Sequence, residues 1–519
     1  MDLLFWLLRR LLPLGLVAGT GFLMFSSFTP AASDRVEGFG IDASVISAPA
    51  SDLAASLSGI PSEPPLLVRV SFDWSQLEPA RDVYDWSAGG LDLQLASLST
   101  QGRKIIGVLE GGPVYLVSSI NLPVDQTQLL LRWAAFVQAV VERYGDQIDT
   151  WEIGSQINTT RGVSPFLYPM DEHAAVNPDP TLYARLVKTA NAVIKNTDPN
   201  DEVWTGSLVG STSAACNLNP LTFLLELNSA KAWGSLDGIT FEPDRGAVTP
   251  ETHAAINPRC ASSLPESDST LSGETRAVQE LIRQLGGKSI RVSGLGWSED
   301  LLASASPTRS ITQGQLQADL ITRASVPLLA LNSVPSVLWR FDPVAAPETV
   351  LALANLHDLL VGAKPLGQVQ GDGGTVNEYR FRKGNQLIIL VWRSIDGDTA
   401  APVSLANLEA KSLSAFPVDA ASLSDAYATP ITADETGSAL ILVNERPVIL
   451  IGSNADWSVG IQQDAQNWVE LGQNQVKQGL RRLANAQKAA LKNWIAGLFD
   501  SAKDQAVTWG EEKLDELLN

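Results

Sequence analysis

Five carboxylates, Asp73, Glu110, Glu242, Asp244 and Asp342, each fall at or just after the end of a short apolar run. If those runs are strands of one barrel, their C-terminal ends share the face on which barrel enzymes assemble active sites. Two carboxyl groups about 5 Å apart on that face could cleave a glycosidic bond. One would give a proton to the leaving oxygen and the other would attack the anomeric carbon. Taken singly, each acid is better read as a loop cap, an ion-pair partner or a solvated charge. Together they could line an acidic cleft for a cation or an amino sugar. No metal-ligand spacing is present, and His173, His253 and His357 are scattered, as solvated surface histidines would be. Neither a metal nor another cofactor is expected.

The elements that would position these residues alternate as βα units. Candidate strands lie at 38–41, 66–70, 104–109, 150–153, 202–206, 236–241, 289–292 and 336–339, eight in all, as a barrel requires. Between them run amphipathic patterns, among them 129–143 and 181–196, with apolar residues at three- and four-residue steps. From about residue 364 the texture changes. Tyr379-Arg380-Phe381, the turn Lys383-Gly384-Asn385 and the run Leu387 to Trp392 read as a β-hairpin, and further short strands follow. In the tail, Val476, Leu480, Leu483, Leu491, Trp494 and Leu498 form one helical stripe, interrupted by Gln487. The expected fold class is α/β. A (β/α)8 TIM barrel over 33–363 would precede a small β-sandwich over 364–454 and an amphipathic helical tail over 455–519.

The chain has 519 residues, with 37 basic against 57 acidic side chains and a net charge of −20. That balance excludes nucleic acid as a partner, because phosphate binding needs many Lys and Arg. It also gives no broad attraction to anionic lipid. The 14 tryptophans suit sugar stacking, but large cores account for them more simply. Arg9-Arg10 precedes an apolar stretch, Leu11 to Phe28, long enough to span a bilayer, so residues 1–32 read as a membrane anchor with the remainder exported. A cleaved signal peptide is the alternative, with Thr29-Pro30-Ala31-Ala32 as its cleavage region. The tail carries seven basic and nine acidic residues, which favours packing on the barrel or a protein partner over a lipid surface.

Three stretches resemble a known family. They are Trp151-Glu152-Ile153-Gly154-Ser155-Gln156-Ile157-Asn158 after Arg143-Tyr144-Gly145-Asp146, then Ile290 to Ser298, then Arg69-Val70-Ser71-Phe72-Asp73-Trp74 with Glu78-Pro79 and Tyr84-Asp85-Trp86. They are similar to segments of the clan A glycoside hydrolases, of xylosidase/iduronidase-like or cellulase-like type. These are retaining enzymes on a (β/α)8 barrel, often followed by a small β-sandwich. The resemblance covers roughly residues 38 to 455 and implies that Gln156 stands in place of the acid/base glutamate and Gly294 in place of the nucleophile. It also puts Ser155 where an asparagine grips the sugar 2-hydroxyl, and Trp339 where a tryptophan floors the sugar ring. Cys216 and Cys260 would fall in neighbouring loops after strands 5 and 6, a candidate disulfide in an exported protein. Asn158-Thr159-Thr160 matches a glycosylation acceptor, but at the barrel mouth its modification is not expected.

These observations point to an exported, membrane-anchored pseudoenzyme that serves as a glycan-binding or assembly module. Ser155, Gln156, Trp339, Asp73 and Asp244 would face the carbohydrate, and the tail would meet a second protein. An active hydrolase with its carboxylates relocated to Glu110 and Glu242 is one alternative. A purely structural subunit of an envelope complex is another.

Overall fold

The computed structural model describes residues 35–452, apart from 44–49, 118–121, 172, 247, 261–267, 298–301, 304–310, 331–333, 371–374, 395–399 and 409. Eight parallel strands close into a barrel: β1 Gly38–Asp42, β2 Leu67–Asp73, β3 Lys104–Glu110, β4 Thr150–Ile153, β5 Glu202–Thr205, β6 Gly238–Glu242, β7 Ser289–Leu295 and β8 Ser336–Trp339. Each pairs with the next. β8 returns to β1, with Gly40 opposite Leu338, and β5 meets β6 at Trp204 and Gly238. A short extension, Leu208–Val209, lies beside the end of β6.

The helices form where a cap and an apolar stripe coincide. Asp125 caps α1 (Gln126–Tyr144), its Oδ1 accepting from the backbone of Thr127 and Gln128 at 3.0 Å. Leu129, Trp133, Phe136, Val137, Val140 and Tyr144 form its buried face. Asp179 caps α2 (Pro180–Thr197), with Pro180 at the first turn, where its missing N–H costs nothing. Trp133 lies against Trp74, Phe136 and Phe166. Truncating such a side chain to alanine costs about 3–5 kcal/mol, so Trp133→Ala should open this layer at a cost of that order. Glycine admits bulk inside the barrel: a Cβ at Gly107 would stand 2.6 Å from the Trp151 ring.

Beyond α3 (Leu271–Gln284), α4 (Gln313–Ala330) and α5 (Pro347–Leu360), the chain becomes antiparallel. Strands β9 Lys364–Gln370, β10 Val376–Lys383, β11 Gln386–Arg393, β12 Ala401–Leu405, β13 Ser412–Pro417, β14 Thr429–Thr432, β15 Ala439–Val443 and β16 Val448–Gly452 complete the order. Six of them form one sheet, β9-β10-β11-β16-β13-β14, while β12 and β15 pair separately. The expected hairpin is β10–β11. Lys383 sits opposite Gln386, and Gly384 takes a φ of 56° in the two-residue turn.

The N-terminal apolar segment and the C-terminal tail lie outside the described residues. Among the described residues, no helix is long and apolar enough to cross a membrane. One expectation is corrected. His357 is not a surface histidine but wholly buried in α5, where burial pushes its pKa down to about 4.

Candidate functional site

The C-terminal ends of the strands converge on a chain of alternating charges. Arg291 of β7 donates to Glu152 Oε1 at 3.1 Å, and Arg69 of β2 donates from Nε to Glu152 Oε2 at 2.8 Å. Arg69 also donates to Asp42 Oδ1 at 3.2 Å. Asp42, at the end of β1, accepts from Arg340 Nη2 at 3.1 Å, and Arg340 Nη1 donates to Glu242 Oε1 at 2.8 Å. Three guanidinium groups therefore alternate with three carboxylates from the barrel interior to its mouth. Thr240 donates a further hydrogen bond to Glu152 at 2.8 Å, and the Arg291 guanidinium lies 4.1 Å from the Trp204 ring centroid. Charges this deeply buried persist only when paired and hydrogen-bonded.

At the mouth, β4 ends in an unusual turn. Gly154 has a φ of 74°, and Gln156 adopts a left-handed φ of 47°, uncommon for a residue with a side chain. Ser207, after β5, holds this turn by accepting from the Gln156 backbone at 2.9 Å. Gln156 Nε2 then donates to Glu242 Oε1 at 3.1 Å. Glu242 is only 1% exposed. Its Oε1 serves both Gln156 and Arg340, while Oε2 is buried without a hydrogen-bond partner among the described residues. Burial works against the charge of Arg340, but Glu242 and Asp42 outweigh it and hold the guanidinium above its ordinary pKa.

β7 ends in a bulge at the same place. Pairing with β8 shifts between Val292 and Leu295, and Gly294 takes a φ of 68°. A Cβ built there would lie 2.7 Å from Arg340 Nη2 and 2.9 Å from Glu242 Cγ. No side chain could leave residue 294 toward the mouth without displacing Arg340.

No protein-family model matches the chain, and no curated protein matches it. Solved structures do. A family 39 glycoside hydrolase from the gut symbiont Bacteroides cellulosilyticus superposes with a TM-score of 0.57 at 15% identity, over 81% of both chains. A GH30 endoxylanase from Clostridium papyrosolvens gives 0.52 at 13% identity, over 82% of this chain and 98% of that one. A conserved exported protein from Bacteroides fragilis gives 0.53 at 10%, over 80% and 97%. The chain has the fold of the clan A glycoside hydrolases. At these identities the likeness is one of fold.

Within this glycosidase fold, the sequence-derived candidates scatter into different roles. Gln156 and Glu242 are brought into direct contact, and Gly294 lies against both Glu242 and Arg340. Ser155 is partly exposed beside Ser207, its hydroxyl 3.4 Å from that of Ser207. Glu110, at the end of β3, accepts a hydrogen bond from Ser71. Burial raises its pKa, Ser71 and Arg69 oppose that, and Asp73 and Asp42 add to it. Asp73 caps the short helix Trp74–Leu77, accepting from the Ser75 backbone at 2.9 Å. Asp244 accepts from Ser213 at 2.7 Å and from the Gly246 backbone at 3.0 Å, and Asp342 likewise holds the backbone of Val344. Trp339 is wholly buried. It donates to Ser325 at 2.8 Å and stands edge-on to Phe39 and Phe341, so it offers no ring face at the mouth.

Cys216 and Cys260 form a disulfide between the loops after β5 and β6. Asn158 lies beneath it, fully buried. Its amide donates to Val209 O and Leu218 O and accepts from Val209 N, each at 2.8 Å. Among the described residues no group of His, Cys, Asp and Glu could hold a metal ion. Sequence reasoning missed Arg340 and Asp42. Their signal was a charge placed immediately after an apolar strand, and Arg69 and Arg291 showed the same signal inside one.

Proposed function

We propose that this is an exported protein that has kept the glycosidase barrel as a carbohydrate-binding module and lost hydrolysis. The observation that carries this is Arg340 beside Gly294. The place from which a nucleophilic carboxylate would project is closed by a guanidinium already paired with Asp42 and Glu242. Gln156 cannot release a proton, and its amide is engaged by Glu242. What remains is a polar mouth in which Gln156, Ser155 and Arg340 stay partly exposed, suited to hydrogen-bonding sugar hydroxyls without chemistry. The Cys216–Cys260 disulfide supports an oxidising compartment, in keeping with export through the N-terminal segment and its retention as an anchor. The tail, with its apolar stripe, would serve a protein partner.

Binding is tested by titrating oligosaccharides into the native protein beside an Arg340→Ala variant and following heat or intrinsic fluorescence. Saturable binding that the variant weakens supports the proposal. Absence of binding across neutral, acidic and amino sugars favours a structural subunit instead. One observation favours the rival in which hydrolysis survives on displaced carboxylates. Glu110 is a carboxyl group whose pKa burial raises, as a proton donor requires.

A further inference from the structure

The barrel and the sandwich meet along α4, which packs against β9 and β10. Two charged residues of this helix, Asp319 and Arg323, are each only 3% exposed. Arg446, from the turn between β15 and β16, donates from Nε to Asp319 Oδ2 at 2.8 Å and from Nη2 to Asp419 Oδ1 at 3.2 Å. The second oxygen of Asp419 accepts from Gln315 at 3.1 Å. Arg323 is engaged elsewhere. It donates to both oxygens of Glu251, at 2.9 and 2.7 Å, and lies 4.0 Å from Glu445. Trp392 of the sandwich donates to the same Glu251 at 2.7 Å.

One guanidinium, that of Arg446, therefore serves two nearly buried carboxylates. They are not equivalent. Both oxygens of Asp419 have donors, whereas Asp319 Oδ1 is buried and meets none among the described residues. An ionised oxygen left in that position carries the full cost of desolvation, and a neutral acid group carries much less. We propose that this seam holds one proton: Asp319 is a neutral carboxylic acid in mildly acid surroundings, and its ionisation sets two carboxylates against one guanidinium and loosens the joint between barrel and sandwich.

Burial pushes the Asp319 carboxyl up to about 7, against the pull of Arg446 and Arg323 and with the help of Asp419. The charges facing it are Arg446 and Asp419 from the sandwich and Arg323 from its own helix. Glu251 and Glu445 stand one pair further out, and Arg276 of α3 acts on Tyr379 of the sandwich. An unfolded chain ionises this residue near the ordinary value of 3.8. Between that value and about 7 the folded form holds one more proton than the unfolded form. The stabilisation from this group is therefore complete below the lower value and is lost as the pH rises through the upper one.

The test is denaturant unfolding of the full chain at half-unit steps from pH 5 to pH 8.5, native beside Asp319→Asn. The ratio of the native unfolding constant to that of the variant should rise about tenfold per pH unit up to about pH 7 and then level off, as linkage to a single proton requires. Asp419→Asn provides an independent arm. Removing the like charge should make the variant's own pH profile, read beside the native one, level off at lower pH, whether or not Asp319→Asn folds. Parallel pH profiles for native and Asp319→Asn, or a levelling point unmoved by Asp419→Asn, would overturn the proposal.

Discussion

Arg340 Nη2 lies 2.7 Å from where a Cβ on Gly294 would stand. The two residues come from neighbouring strand ends, and each makes the other's conformation possible. Gly294 needs no room and tolerates a φ of 68°, while Arg340 fills the space and joins Asp42 to Glu242.

Gly294→Ala should therefore destabilise the barrel by about 1–3 kcal/mol, combining left-handed strain with overpacking. In an Arg340→Ala background the same change should cost measurably less, because the contact with Arg340 is gone while the backbone strain and the approach to Glu242 Cγ remain. A double-mutant cycle by denaturant unfolding measures the difference. Equal costs in both backgrounds would show that Arg340 does not fill that space.

The charge chain should behave as a unit. Glu152→Gln leaves Arg69 and Arg291 short of a shared carboxylate inside the barrel, and breaking a buried pair from one side costs about 3–5 kcal/mol. A loss of that order in unfolding free energy is expected. An exposed pair such as Arg283–Glu280 should matter far less in the same assay, because water screens it.

Most of the architecture was legible in the sequence because period and turn chemistry are local. The eight barrel strands fall within a few residues of the apolar runs, and the β10–β11 hairpin turns at Gly384. The mouth was only half legible. Gln156 and Gly294 could be found from the stretches Trp151 to Asn158 and Ile290 to Ser298, but Arg340 could not, since its role comes from neighbours far along the chain. Trp339 misled for the same reason. A tryptophan ending a strand can face the mouth or the helices, and Ser325 on α4, which accepts from its indole, holds it inside.

The sequon at Asn158 should stay unmodified. Its amide is wholly used by Val209 and Leu218 beneath the Cys216–Cys260 bridge. Intact-mass measurement after expression in a glycosylating host should show no glycan at this position. Reducing the bridge should lower stability by about 2–4 kcal/mol, read as a lower melting midpoint with reductant than without.

The proposed loss of hydrolysis is tested most directly by release of phenolate from a panel of aryl glycosides by the native protein, with Glu110→Gln and Glu242→Gln assayed alongside. General acid/base assistance alone is typically worth about 10²–10⁴-fold. With Gln156 and Gly294 at the two expected positions, all three proteins should match the uncatalysed rate. Turnover by the native chain that either substitution abolishes would contradict this and place catalysis on the displaced carboxylates.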